Sequence, residues 1–205
     1  MTIGQVIQPG ESVAGQREDL FTVGLLASGP PSVQGAKLKL TNIPIGSVAL
    51  TSVGTNTADI IQLWVTDIFV PVNRLITTVG VLQGGTATTD NILVAIYDAK
   101  GNLLASSALA GKLLATTNIF TELALALDGK GNTLNANGLQ LYGPAQYYIA
   151  VQGNGTAAGA IQTVPAPYLD ICAGAVTAGT FGTLPNPITV PTTFTAAKAP
   201  IVYVY

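Results

Sequence analysis

The groups in this chain that could do chemistry are few, and most are carboxylates. Asp59 with Asp67, or Asp90 with Asp98, are the pairs from which a glycosidase-type centre could be built. In such a centre one carboxyl protonates the leaving oxygen and the other acts as base or nucleophile. The flanking residues argue for a plainer role: Asp90, Asp98 and Asp128 each stand beside Gly, Asn or Lys in turn-forming stretches, where aspartate commonly accepts hydrogen bonds from its own backbone. Asp128-Gly129-Lys130-Gly131-Asn132 opens with the spacing of a calcium loop, but Lys130 flanks the would-be ligands and no Glu follows at the required distance. With no histidine in the chain, a Ser-His-Asp triad, a Cys-His pair and His-ligated metal sites are impossible. Cys172 is the only cysteine, which excludes an intrachain disulfide and a Cys-cluster metal site; within Leu169–Ala173 it reads as a small buried hydrophobe. Gly84-Gly85 and Gly153-Asn154-Gly155 lack the Gly-Lys-Ser/Thr ending of a phosphate loop and read as turns. The chain is expected to be no enzyme and to carry no cofactor or metal.

Aromatic residues are the other candidates. Trp64 with Tyr97, Tyr147 and Tyr148 would make a glycan-stacking platform if the rings were exposed, although core packing is the commoner fate of aromatics in strands. Trp64, Tyr203 and Tyr205 are candidate interface anchors, because aromatic side chains dominate interface energetics.

The elements that must position these residues read as strands. Val, Ile, Leu and Thr come in short runs separated by Gly, Asn, Pro and Asp, without a 3.6-residue period. The clearest is 119–127, where Ile119, Thr121, Leu123, Leu125 and Leu127 would line one face, with Phe120, Glu122, Ala124 and Ala126 on the other. Asn91–Tyr97 is apolar on both faces, which predicts a central strand covered by a second layer or by a neighbouring subunit; Asp98–Asn102 then turns the chain into a strand at 103–107. Further strands are expected at 36–40, where alternating lysines mark a sheet edge, at 63–70 and 75–82 on either side of Pro71, at 146–152, and at 199–205 with Ile201, Tyr203 and Tyr205 on one face. A terminus this apolar should be paired. Nine to eleven strands at this spacing predict an all-β antiparallel sandwich, of the jelly-roll kind, as a single domain over 36–205. Residues 1–35 hold Glu11, Arg17, Glu18 and Asp19 and read as an extended arm or first strands, and residues 153–200 as Pro/Gly-rich loops.

Composition limits the partners. Only 9% of the 205 residues are charged, 8 basic and 10 acidic, against about 25% in an ordinary soluble domain. Over the roughly 9,000 Å² expected for a folded chain of this size, that is about one charge per 500 Å², so much of the surface is expected to be covered by other protein copies. The net charge of −2 argues against nucleic acid or an anionic membrane. Mean hydropathy is +0.49, yet the longest apolar region, Ile60–Leu82, is broken by Gln62, Asp67, Pro71, Asn73 and Arg74 and cannot supply the ~20 apolar residues of a spanning helix. Met1–Gln5 has neither the basic nor the apolar region of a signal peptide, which predicts synthesis in a cytosol.

Two stretches resemble a known group. Gly80-Val81-Leu82-Gln83-Gly84-Gly85-Thr86, continued by Thr89-Asp90-Asn91-Ile92-Leu93-Val94-Ala95-Ile96-Tyr97-Asp98-Ala99-Lys100-Gly101-Asn102 and Leu103–Ser107, is similar to the β-sandwich modules of tailed-bacteriophage virion proteins. Gly143-Pro144-Ala145-Gln146-Tyr147-Tyr148-Ile149-Ala150-Val151-Gln152 and its exit through Gly153–Thr156 resembles the strand that follows in such modules. Together they cover roughly residues 60–160. The resemblance implies a jelly-roll capsid cement (decoration) protein on the virion surface, a homotrimer seated on the major capsid protein, with no catalytic residues. Tyr-Asp-x-x-Gly hairpins recur in adhesive sandwiches too, so a glycan- or receptor-binding module of a fibre or capsid surface is the alternative.

Overall fold

Every regular element among the described residues is a β-strand, as the period-2 patterns require. The structure is a computed structural model that describes residues 39–43, 55–57, 62–87, 89–155, 160–165, 173–177, 179–193, 195 and 197–205; the expected arm at 1–35, together with Asp59 and Cys172, lies outside them. The strands are β1 (Leu40–Thr41), β2 (Thr55–Thr57), β3 (Leu63–Val70), β4 (Arg74–Ile76), β5 (Thr78–Leu82), β6 (Asn91–Tyr97), β7 (Leu103–Ser107), β8 (Lys112–Leu113), β9 (Phe120–Asp128), β10 (Leu139–Leu141), β11 (Ala145–Gly153), β12 (Ile161–Thr163), β13 (Gly174–Thr177) and β14 (Val202–Val204). These fourteen exceed the nine to eleven expected. The surplus is short: the 75–82 run splits into β4 and β5, and the Pro/Gly-rich region still yields β12 and β13.

All strand pairings are antiparallel, and the main path runs β1-β14-β5-β9-β7-β6-β11-β3-β13, with β8 beside β6. One strand serves two layers. Phe120–Ala124 of β9 pairs with β5, whereas Leu125–Asp128 pairs with β7 across a register shift at Ser106/Ser107, and such an irregularity bends and twists the ladder locally. The path therefore folds over at β9, and Val79, Val81, Leu123, Val202 and Val204 of one layer meet Ile68, Ile92, Val94, Ile96, Ile149 and Val151 of the other in a single core. This is a β-sandwich. Two short ribbons lie at its ends. β4 pairs with β10 where β3 finishes and β5 and β11 begin; β12 pairs with β2 and bridges Gln83 at the opposite end.

The C-terminal strand is central. β14 lies between β1 and β5, and Tyr205 and Thr78 exchange backbone hydrogen bonds beyond the strand's last residue. At the other extreme, β1 ends the path among the described residues; of the strand expected at 36–40 it contains Leu40, and residues 36–38 lie outside the described residues.

The double-apolar pattern of β6 has its explanation within the chain. The inner face of the β6–β11–β3 layer enters the common core, while Leu63, Val65, Ala95, Tyr97, Tyr148 and Ala150 on the outer face are covered by Leu184, Ile188 and Val190. Residues 179–193 act as a strap. Ile188 N–H donates to the Gly101 carbonyl at 2.9 Å, Leu103 N–H to Asn186 Oδ1 at 3.0 Å, and Gly182 N–H to Gln152 Oε1 at 3.2 Å. No neighbouring copy is needed to bury that face. The Tyr97 hydroxyl is buried here without a hydrogen-bond partner among the described residues. An orphaned buried hydroxyl is a cost, so Tyr97→Phe is expected to leave stability unchanged or raise it by about 1 kcal/mol, read from the urea midpoint; a clear loss would show that the hydroxyl is satisfied.

Candidate functional site

The four aromatics first assigned to a glycan platform do not form one. Trp64 and Tyr147 point into the inter-layer core, Tyr97 and Tyr148 lie under the strap on the opposite face of the same sheet, and all four are buried, Trp64 to 5% exposure. The reason is strand parity. Residues 64 and 97 have opposite inside–outside assignments in their strands, and so do the adjacent residues 147 and 148, so the rings cannot share a surface. The same burial removes Trp64 as an anchor on the surface of this chain; Lys198 Nζ lies 5.6 Å from its ring.

Tyr203 and Tyr205 share the outer face of the other layer, as their alternation required. Tyr203 stands opposite Gly80, which stands opposite Glu122, so three strands place the three residues in one row. The Tyr203 ring lies across the bare Gly80 backbone, and its hydroxyl donates to Glu122 Oε1. Tyr205 donates to Glu122 Oε2 at 2.7 Å, and Lys39 Nζ donates to the Tyr203 oxygen at 2.9 Å while sitting 4.1 Å from its ring centroid. Phe120 closes one side, its ring centroid 4.6 Å from that of Tyr203. Tyr203 is consequently buried by its own chain. The sequence signal for Glu122 was its place on the wetter face of β9; nothing local announced Lys39 as its partner, because the pair is 83 residues apart.

This arrangement is electrostatic glue. Hydrogen bonds from Tyr203 and then Tyr205, with the Lys39 charge in support, hold the Glu122 carboxyl below its usual range. Burial, then the bond to Glu122, pushes the Tyr203 hydroxyl up. Because the folded-state pKa of Glu122 lies below its unfolded value of 4.5, its contribution is present above that pH and is lost as pH falls through the folded value. Glu122→Gln is expected to flatten the fall in stability below about pH 4.5, measured as urea midpoints between about pH 3 and pH 7. An unchanged acid slope would contradict it.

Asp59, half of the first carboxylate pair, lies outside the described residues, and Asp98 of the second is engaged by its own turn. Asp98 Oδ1 accepts from the backbone of Lys100 at 2.8 Å and of Asn102 at 2.9 Å, and Asp128 Oδ1 accepts from Lys130 and Asn132 at 2.9 Å each. Asp90 is fully buried. Both Asp-x-Lys-Gly-Asn turns are closed by their own aspartate, as the turn reading required. Asp67, on the outer face of β3, accepts from Ala173 N–H at 2.7 Å and from Gln146 Nε2 at 2.6 Å, and burial raises its pKa in spite of these bonds.

No protein-family model matches the chain, and no curated protein matches its sequence. The surface therefore carries the functional argument. Leu109, Leu113 and Ile119 are exposed large apolar side chains, Leu113 to 45%, and they gather at one end of the sandwich. That end is defined by β8 pairing with the start of β6, by the turn after β7, and by the approach to β9. Residues 103–121 carry one charge, Lys112, whose Nζ donates to the Glu122 carbonyl at 2.9 Å. Residue type did not single these three out; only the topology brings them to one end. Among the described residues no helix is long and apolar enough to cross a membrane.

Proposed function

We propose that this protein is a bacteriophage virion structural protein of the capsid cement or decoration type. In this reading it self-associates, as a homotrimer, and stabilises the shell by binding the major capsid protein on the virion surface. The observation that carries the proposal is the exposure of Leu109, Leu113 and Ile119 on a segment, 103–121, in which Lys112 is the one charged residue. Apolar side chains grouped on a charge-poor surface mark an interaction site more often than singly scattered ones do, and interface cores are depleted of charge. The sandwich fold and the resemblance of residues 60–160 to phage modules support it. The action would be mechanical: binding the assembled state shifts the equilibrium toward it by mass action, with no reaction and no cofactor.

Light scattering at micromolar concentration is the test. The expected mass is about three times 20.9 kDa, and Leu113→Asp, at an exposed position, is expected to return a folded monomer that no longer binds capsid shells. A wild-type monomer that also fails to bind shells would overturn the proposal.

A second reading, a glycan- or receptor-binding module of a fibre or capsid surface, loses its four buried rings but has another aromatic in its favour. Phe69 stands 53% exposed in β3.

A further inference from the structure

Two adjacent cross-strand pairs lie on the outer face of the strapped layer: Asp67 of β3 opposite Tyr148 of β11, and Phe69 opposite Gln146. Directly opposed residues of an antiparallel pair share a face, and so do alternate residues of one strand. The four side chains share one face: Tyr148 is buried at the margin of the strap, while Asp67, Phe69 and Gln146 lie outside the cluster that the strap buries and make one patch.

Its polar half is already positioned. Gln146 Nε2 donates to Asp67 Oδ2 at 2.6 Å, and Ala173 N–H donates to Oδ1 at 2.7 Å. Each oxygen retains a lone pair, and the exposed Gln146 amide retains a second N–H and its carbonyl oxygen. Its apolar half is Phe69, more than half exposed although most of its strand is buried. An aromatic face beside a fixed carboxylate and amide supplies what a pyranose presents, a C–H surface and a rim of hydroxyls.

We infer that the Asp67–Phe69–Gln146 patch binds a neutral saccharide. Phe69 covers the apolar face of the sugar ring, Asp67 accepts from its hydroxyls, and Gln146 both donates and accepts. Asp67 is the charged member of the patch, so acidic sugars are disfavoured by like-charge repulsion. The inference rests on the glycan-binding reading and not on the shell-binding one.

Saturation-transfer NMR of the full chain with maltose, cellobiose, lactose and chitobiose, and with sialyllactose as the acidic comparison, tests it. At least one neutral sugar is expected to receive saturation and sialyllactose to receive much less. Phe69→Ala is expected to weaken binding about tenfold or more and Gln146→Ala about tenfold, while Phe69→Trp retains it. Melting curves matching the wild type show that the variants are folded. Saturation that survives in Phe69→Ala overturns this site while leaving glycan binding elsewhere in place. Silence from all four neutral sugars overturns both the site and the reading on which it rests.

Discussion

Ile188→Asp is expected to lower stability by about 3–5 kcal/mol, the largest effect anticipated for a single change in this chain. Ile188 sits in the strap, buried against Leu63, Val65, Ala95, Tyr97, Tyr148 and Ala150. A carboxylate there must either be desolvated without a partner or pull the strap off the sheet. Detachment would uncover a continuous apolar face and break the Ile188–Gly101 and Leu103–Asn186 hydrogen bonds. For a chain of this length the loss corresponds to a fall in melting temperature on the order of 10 °C. Calorimetry and binding of a hydrophobic dye report it: the dye should bind the variant and not the wild type. A variant with the wild-type midpoint and no dye binding would show that the strap contributes nothing. Gly101→Ala probes the same contact from the sheet side, since φ there is +84° and a Cβ would press on the Ile188 carbonyl.

Gly80→Val comes next, with an expected loss of about 3 kcal/mol. A Cβ at position 80 would lie 2.4 Å from Cζ of Tyr203, whose ring occupies the space a side chain would take. The ring cannot retreat without leaving Phe120 and withdrawing its hydroxyl from Glu122, so the substitution costs both packing and hydrogen bonding. Tyr203→Ala in the same background is expected to recover part of the loss, because it removes the clash. Additive penalties in the double variant would show that the two residues do not share that space.

Several parts of this fold are legible in local residue patterns. The alternation in 119–127 assigns Thr121 and Leu123 to the core and Glu122 to the wetter face, and the structure has them so, whereas Ile119, assigned to the same core face, is exposed just before β9 begins and Leu125 and Leu127 are half-buried. The two Asp-x-Lys-Gly-Asn turns are readable for the same reason: their hydrogen bonds close within five residues. Pro71 stands just past the end of β3, and the apolar C-terminus is paired as anticipated.

The aromatic platform was not legible, because a shared surface depends on which face each strand turns inward. Tyr147 and Tyr148 are neighbours in sequence and lie on opposite sides of a sheet. The low charge content was ambiguous for a related reason. It predicted burial, but not whether the cover would be another subunit or, as over β6, a Pro-rich segment of the same chain some ninety residues away.

By itself the sequence determined an all-β antiparallel chain, its main turns, and a surface poor in charge and lacking histidine chemistry; these follow from composition and from periods of two, which act over a few residues. Only the tertiary structure decided that β9 would join two layers, that residues 179–193 would cover β6, that Lys39, Glu122, Tyr203 and Tyr205 would form one cluster, and that Phe69 would stand beside Asp67 and Gln146. Strand order and register settle those contacts. They depend on pairings between residues up to 164 positions apart, for which no local pattern carries information.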